Sequence, residues 1–264
     1  MIDRLYSESH SSGPNLVLWH GWGMNLRIFD SLVEHLATHF RVTTVDLPGH
    51  GRSPELMTED FEAALPILIS ELPDDCTLAG WSLGGMLALR AAELAPERVR
   101  GLILLHSTPK FVATADWTHG IASTVLDQFA NSLREAQQQT VNHFLDLQVR
   151  GSRDADGLLH RLREALRLHG HARSTALGAG LEHLRRADLR ATAGRIELPT
   201  LLISGQYDRV TPPGAAHAMA ALMRHAQVEE LPRTGHAGFL SQAEGVAKRC
   251  IHWWQAQVCP PVLA

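Results

Sequence analysis

The chain has 264 residues, 45% of them hydrophobic, and a formal net charge of −4. This composition indicates a globular protein with a sizeable core, and it gives no case for a nucleic-acid or membrane partner. No apolar run approaches the ~20 residues of a membrane span, the N-terminus has no apolar signal core, and the three cysteines lack metal-ligand spacing. We expect a cytoplasmic monomer that needs no metal or cofactor.

The first part of the chain alternates short apolar runs with helical patterns. Residues 15–21, 41–51 and 99–109 contain several Leu, Val or Ile residues, residues 76–82 form a further short apolar run, and residues 83–94 have a helical pattern. Such runs without alternation are typical of parallel strands covered on both faces. The sequence therefore predicts an α/β fold with a doubly wound, mostly parallel sheet.

The pattern changes after Pro109, where residues 129–149 and 157–168 are each predicted to form an amphipathic helix. We predict a helical lid over residues 110–190, inserted into a core formed by residues 1–109 and 191–264. The core pattern then returns, with predicted strands at 199–205 and 227–232 and predicted helices at 213–225 and 243–258.

A G-x-S-x-G motif, Gly80-Trp81-Ser82-Leu83-Gly84, stands between a predicted strand and a predicted helix. In that context a serine sits on a sharp turn, and its small neighbours let strand and helix approach each other. The hydroxyl then lies at the C-terminal edge of the sheet, where open α/β folds bind ligands. The alternative is a helix-capping serine with glycines that serve packing.

A nucleophilic serine needs a base, and the base needs an orienting carboxylate. His236 follows a late predicted strand, and Asp208 follows the strand before it, which is the order expected after Ser82. The alternative role of Asp208 is a turn or helix cap, and Asp188 is a weaker candidate for the acid. The other histidines near the C-terminus lie in predicted helices, where packing or surface roles are expected: His217, His225 and His252.

An oxyanion hole also requires two backbone N–H donors. One is predicted at Leu83, directly after the serine, and the second at Trp22, in the glycine loop His20-Gly21-Trp22-Gly23 that follows an early strand. We expect His20 itself to hold that loop.

The motifs HGWG, DLPGHGRS, GWSLGG, YDRVTP and TGHAGF occur in this order along nearly the whole chain. With them the chain resembles the α/β-hydrolase superfamily, and within it the carboxylesterases of biotin synthesis, which demethylate pimeloyl-[acyl-carrier protein] methyl ester. The resemblance implies a nucleophile at Ser82, an acid at Asp208 and a base at His236. It further implies substrate contacts at these positions: Trp22, Ser82, Leu83, Phe144, Leu145, Asp146, Leu147, Gln148 and His236.

In that family, basic lid residues hold the acyl-carrier protein, but this chain has Gln139 and His143 where arginines are expected. The charge pattern of the chain nevertheless indicates a basic lid. Residues 110–190 hold 11 basic and 9 acidic side chains, whereas the rest of the chain holds 13 basic and 19 acidic ones. A basic lid on an acidic body favours an acidic partner over the lid. The densest basic cluster, called here the lid arginines, is Arg150, Arg153, Arg161, Arg163 and Arg167. The alternative is a solvated helix face.

Other activities of the same residues stay open. The same triad and oxyanion hole are also compatible with a broad short-chain carboxylesterase, a lactonase, a C–C bond hydrolase or an acyltransferase. A non-catalytic receptor built on this fold is the alternative of another class.

Overall fold

The computed structural model describes residues 4–56 and 60–259. In this part of the chain seven strands form one sheet, ordered β1-β3-β2-β4-β5-β6-β7, and only β1 runs antiparallel to its neighbour. The strands are β1 Ser7–His10, β2 Asn15–Trp19, β3 Arg41–Val45, β4 Cys76–Trp81, β5 Val99–Leu105, β6 Thr200–Gly205 and β7 Ala226–Leu231. The predicted α/β fold with a mostly parallel sheet is confirmed.

The strand sequences account for this arrangement. Every residue of β4 and β6 is buried, as expected for parallel strands covered by helices on both faces. The polar strand β1 is partly exposed at one edge of the sheet, and at the other edge β7 carries Glu229 and Glu230. Charged side chains on edge strands oppose pairing with other chains.

Eleven α-helices accompany the sheet within the described residues, with short 3₁₀ helices at Leu26–Phe29 and Phe61–Ala64. The helices are α1 Asp30–Leu36, α2 Leu65–Ser70, α3 Leu83–Leu94, α4 Ser123–Glu135, α5 Gln137–Val149, α6 Ala155–His169, α7 Ser174–Arg186, α8 Arg190–Arg195, α9 Pro213–Ala220, α10 Gly238–Ser241 and α11 Ala243–Gln257. Helix α1 packs on α11, whereas α3 packs on α2 and α8. None of the helices in the described ranges has the length and apolar character required to cross a bilayer.

The strand order places a switch point between β2 and β4. The chain steps from β2 outward to β3 and then returns past β2 to β4. Because parallel crossovers are right-handed, this reversal puts the connecting helices on opposite faces and opens a crevice at the carboxyl ends of β2 and β4. Trp22 follows the first of these strands, and Ser82 directly follows the second.

Helices α4 to α7 lie between β5 and β6, and the two chain segments that join them to the sheet run side by side. Lys110 forms an antiparallel bridge and an ion pair with Asp188, with Nζ and Oδ2 2.9 Å apart. The helices also attach to the loop after β2, because Asn25 Nδ2 donates to the carbonyl oxygens of Ala165 and Gly170 at the end of α6.

The single helix predicted over 129–149 is wrong, because the chain forms two helices, α4 and α5, that meet at Ala136. This residue has φ −146° and ψ 65°, which are not helical values. The break folds α4 back on α5, so that Phe129 and Phe144 reach one apolar contact, with ring centroids 5.6 Å apart. Burial of two apolar faces thus overrides a continuous helix-forming sequence.

Candidate active site

Ser82 stands at the turn between β4 and α3 with a left-handed backbone, φ 54°. Few residues other than glycine adopt such values without support, and the cost is of order 1–3 kcal/mol. Here its N–H donates to the carbonyl of Leu105 at 3.0 Å, and its own carbonyl accepts from Ser107 Oγ at 2.8 Å. A Cβ on Gly80 would collide with the backbone of Gly84, so only glycine permits this close approach.

The structure brings Ser82, His236 and Asp208 into one hydrogen-bonded chain. His236 Nε2 lies 2.9 Å from Ser82 Oγ, and His236 Nδ1 lies 2.8 Å from Asp208 Oδ2. All three residues are buried, with Ser82 the most exposed at 7%. This geometry lets the imidazole take a proton from the hydroxyl while the carboxylate holds the ring in one tautomer.

The surroundings of Asp208 keep its carboxylate charged. Oδ1 accepts the N–H groups of Val210 and Thr211, both at 2.9 Å. Burial acts to raise the pKa of Asp208, but the charge of His236 and hydrogen bonds from His106 and His236 outweigh it, so the pKa falls well below its usual range. Asp208 is therefore an anion at neutral pH.

Three contacts fix the loop that carries His236. Trp81 Nε1 donates to the carbonyl oxygen of His236 at 3.0 Å. From the end of α5, the carbonyl of Gln148 accepts the N–H of Ala237 at 3.1 Å, and Ser152 Oγ accepts the N–H of Gly235 at 3.0 Å. Residues between β5 and β6 thus help to position the histidine.

The predicted oxyanion residues lie beside Ser82. A Cβ added to Gly21 would lie 3.2 Å from Ser82 Cβ, so the loop before Trp22 passes directly over the serine. His20 holds this loop as predicted, because its Nδ1 donates to the carbonyl of Gly21 at 2.8 Å and its Nε2 accepts the N–H of Leu47 at 2.9 Å. Burial is the main cause that lowers the pKa of His20, so this imidazole is neutral.

An apolar cavity of about 120 Å³ adjoins this loop. It is lined by Trp22, Phe111, Ile121, Val125, Leu126, Phe129, Phe144, Leu147, Leu181, Leu184, Arg209 and Val210. A more open groove of about 490 Å³ between α4 and α5 shares Val125, Phe129 and Leu147 with it and carries Gln139 and His143. The two spaces therefore adjoin each other, with polar side chains lining most of the groove and apolar ones lining the cavity beside Trp22.

The five residues of α5 that were predicted to contact the substrate, residues 144–148, lie in different environments. Phe144 and Leu147 line the cavity, and the ring of Phe144 meets Trp22 edge-on with centroids 5.1 Å apart. Leu145 is buried in the core, and Asp146 pairs with Arg163 on the surface. Gln148 is fully buried, and neither polar atom of its side chain has a hydrogen-bond partner.

The other sequence candidates lie elsewhere. Asp188 pairs with Arg190 and Lys110, away from the serine, and His217 lies 3.7 Å from Glu230 on the surface. Of the lid arginines, Arg150 and Arg153 are exposed. The other three form surface ion pairs: Arg161 with Asp154, Arg163 with Asp146 and Arg167 with Glu164.

Sequence reasoning missed His106, a buried histidine whose Nδ1 lies 3.2 Å from Asp208 Oδ2. The available signal was its place directly after β5, at the same edge of the sheet as the other site residues. His106, Asp208 and His236 are also the one group of described side chains with metal-ligand types within 4.8 Å of one another. Each imidazole Nδ1 is hydrogen-bonded to Asp208 Oδ2, so the three side chains form one hydrogen-bonded cluster.

Comparison with known proteins gives a consistent result. A family model described as the alpha/beta hydrolase fold matches residues 14–243. The chain is 42% identical to a pimeloyl-[acyl-carrier protein] methyl ester esterase of Nitrosomonas europaea, over 91% of this chain and 95% of the relative. It is 39% identical to the protein of that name from Chromobacterium violaceum, over 91% and 94%.

Solved structures share the fold. An esterase from Exiguobacterium antarcticum superposes with a TM-score of 0.86 at 24% identity, with 94% of each chain covered. The enol-lactonase of Burkholderia xenovorans gives a TM-score of 0.83 at 20% identity, with 95% of this chain and 96% of the other covered.

Proposed function

Because the chain belongs to the α/β-hydrolase fold family, we propose that it is a serine carboxylesterase of biotin biosynthesis. Its reaction converts pimeloyl-[acyl-carrier protein] methyl ester and water into pimeloyl-[acyl-carrier protein] and methanol. The observation that carries the chemistry is the hydrogen-bonded chain from Ser82 through His236 to Asp208. The substrate is proposed from the two relatives that are 42% and 39% identical over most of the chain.

In the first half of the reaction Ser82 Oγ attacks the ester carbonyl as His236 Nε2 takes the hydroxyl proton. The N–H groups of Trp22 and Leu83 stabilise the oxyanion, a role that typically contributes about 3 kcal/mol for each donor. His236 then returns the proton to the methoxy group, and methanol leaves. The pimeloyl group remains as an ester on Ser82.

In the second half His236 takes a proton from water, and the hydroxide attacks the acyl-enzyme. Collapse of the tetrahedral intermediate returns the proton to Ser82 Oγ and frees the new carboxyl group. Asp208 stays ionised throughout and stabilises the imidazolium each time it forms. Metal or cofactor groups have no part in this proposal.

The apolar cavity supports a substrate with a methylene chain. Its walls are almost entirely apolar side chains, among them Trp22 in the loop after β2 and Phe144 and Leu147 on α5. We propose that the seven-carbon acyl chain occupies this space with its terminal ester at Ser82, while the carrier protein stays outside. We propose that residues 110–190 act as the lid over this space and that the lid arginines face the acidic carrier.

The deciding experiment compares methyl pimeloyl-[acyl-carrier protein] with free short-chain methyl and p-nitrophenyl esters. We expect a higher kcat/KM for the carrier-linked ester. Equal values would contradict carrier specificity and favour a broad short-chain carboxylesterase. Absence of turnover on every ester, with Ser82 still labelled by a fluorophosphonate, would favour a receptor. For the location and oligomeric state of the protein, we propose a monomer in the cytoplasm, as the sequence predicts.

A further inference from the structure

We propose that His106 is a positioning residue for ester hydrolysis: a neutral imidazole that donates its Nδ1–H to Asp208 and holds that carboxylate for His236. The inference rests on the proposed function, since it assigns a role within the same site. His106 Nδ1 lies 3.2 Å from Asp208 Oδ2, the oxygen that also receives His236 Nδ1 at 2.8 Å. Asp208 Oδ2 thus accepts hydrogen bonds from two histidines.

The hydrogen-bond partners decide the tautomer of His106. Its Nε2 is buried and has no hydrogen-bond partner. A proton on Nε2 would bury an unsatisfied N–H and turn a lone pair of Nδ1 towards an anionic oxygen, both of which are unfavourable. Burial is the main cause that lowers the pKa of His106, while its hydrogen bond to Asp208 opposes the shift. The ring is therefore neutral, with its proton on Nδ1.

The backbone conformation that places His106 is energetically unfavourable. Its φ is +46°, a left-handed value that is uncommon for residues other than glycine. Its N–H donates to the carbonyl of Ile203 at 2.6 Å, and its carbonyl accepts from Thr211 Oγ1 at 2.9 Å. Supported strain of this kind is concentrated at functional sites. Here it turns the imidazole inward, against the carboxylate.

Thr211 does not make His106 redundant. Thr211 Oγ1 lies 2.9 Å from Asp208 Oδ2 and also 2.9 Å from the carbonyl of His106. A hydroxyl has one hydrogen, so it serves one of these acceptors at a time. When Thr211 donates to the carbonyl, His106 is the remaining side-chain donor, besides His236, that contacts Oδ2. Besides His236, the carboxylate is then held by His106 on Oδ2 and by the two main-chain N–H groups on Oδ1.

The electrostatic consequence has a definite direction. The titratable groups that contact His236 are Asp208 and His106. Ser82, Thr211 and Trp81 also contact His236, and Phe239 packs against Trp81 and His106. A donor from His106 withdraws charge from Oδ2. Its loss leaves more negative charge on Oδ2, which strengthens the attraction between the Asp208 carboxylate and the His236 imidazolium.

Two substitutions separate positioning from packing. His106→Ala removes the donor, whereas His106→Asn keeps an N–H at the same number of bonds from the main chain and tolerates the left-handed backbone. We expect His106→Ala to lower kcat about tenfold at unchanged KM and to move the acid limb of kcat/KM about half a pH unit upward. His106→Asn should recover kcat to within about threefold of the unsubstituted enzyme and restore the acid limb. Thermal unfolding of both variants measures the stability change separately.

The result that overturns the proposal is an unchanged acid limb in His106→Ala, or an Asn variant no better than the Ala variant. Nitrogen-15 NMR of histidine-labelled protein gives a readout that needs no turnover. It should show His106 protonated at Nδ1, with the signal assigned by its absence in His106→Asn, and protonation at Nε2 would contradict the assignment. If the unsubstituted protein hydrolyses no ester, the proposed function fails, while the tautomer of His106 is still decided by NMR.

Discussion

Trp81 donates its indole N–H to the main-chain carbonyl of His236 at 3.0 Å, so the residue before the nucleophile anchors the loop of the base. The two rings also lie against each other, with centroids 5.5 Å apart. Any change in the strand that carries Ser82 is thereby coupled to the position of the histidine. The distance from His236 Nε2 to Ser82 Oγ depends on this link as well as on the loop itself.

We predict that Trp81→Phe lowers kcat about tenfold, because it keeps an aromatic ring but deletes the hydrogen bond that holds the His236 loop. The matched control is Trp254→Phe, which deletes a 3.0 Å hydrogen bond to Thr77 Oγ1 away from the site. Both variants should lose roughly 1 kcal/mol of unfolding free energy. Equal kcat in the two variants would show that the Trp81 bond serves stability alone.

Two glycines of α7 give a second matched pair. A Cβ at Gly180 would lie 2.7 Å from Trp22 Cδ1 and 3.3 Å from Leu83 Cδ2, whereas a Cβ at Gly178 meets nothing within 4 Å. We predict that Gly180→Ala lowers kcat/KM about tenfold by displacing the Trp22 loop. Gly178→Ala should leave kcat/KM unchanged and raise the melting temperature, since alanine is the better helix former by up to about 1 kcal/mol. Steady-state kinetics and thermal unfolding of both variants test this, and a fully active Gly180→Ala would contradict it.

Buried histidines make stability depend on pH. Burial is the main cause that lowers the pKa of His50 from 6.5 to about 4, against a hydrogen bond to the carbonyl of Pro48. The unfolded chain therefore binds this proton more tightly, and stability falls as pH drops from 6.5 towards 4. Between pH 7 and pH 5, protonation of His50 alone should lower the free energy of unfolding by about 2 kcal/mol.

The test is His50→Asn, which keeps a donor for Pro48 but does not titrate. Urea unfolding at pH 7 and pH 5 should show a smaller loss of stability in this variant than in the unsubstituted protein. An identical loss in both would mean that His50 is not the group responsible, since His20, with a pKa also lowered by burial, is retained in each protein.

How much of this site follows from sequence can be judged from individual residues. Ser82, Asp208 and His236 each come directly after a parallel strand or the turn that follows it, and all such strands end at one edge of the sheet. The motif and the strand pattern together select three residues that the structure brings into one hydrogen-bonded chain. Helix α3 also occupies the predicted residues 83–94, because the nucleophile turn defines its start.

His106 and the break at Ala136 show what local patterns miss. His106 contacts Asp208 across 102 residues of sequence, through the pairing of β5 with β6 and a left-handed backbone, neither of which a single histidine reveals. The break at Ala136 contains no glycine or proline. It arises because α4 and α5 bury their apolar faces against each other, which is a tertiary effect.

The lid arginines lead to a prediction about carrier recognition. The double variant Arg161→Glu with Arg163→Glu should lower kcat/KM for the carrier-linked ester about tenfold and leave the free p-nitrophenyl ester unaffected, because only the carrier supplies acidic groups. Arg224→Glu is the control, as Arg224 is exposed and ion-paired on the core, 3.2 Å from Glu197. Unchanged kinetics with the carrier-linked ester would contradict docking on this face.

The most direct test of the central claim is methanol release from methyl pimeloyl-[acyl-carrier protein] by the unsubstituted chain and by Ser82→Ala. The geometry around Ser82 predicts turnover by the first and a loss of kcat of about 10⁴-fold or more in the second, with the fold unchanged. Near-equal rates in the two proteins would contradict the assignment of Ser82 as nucleophile.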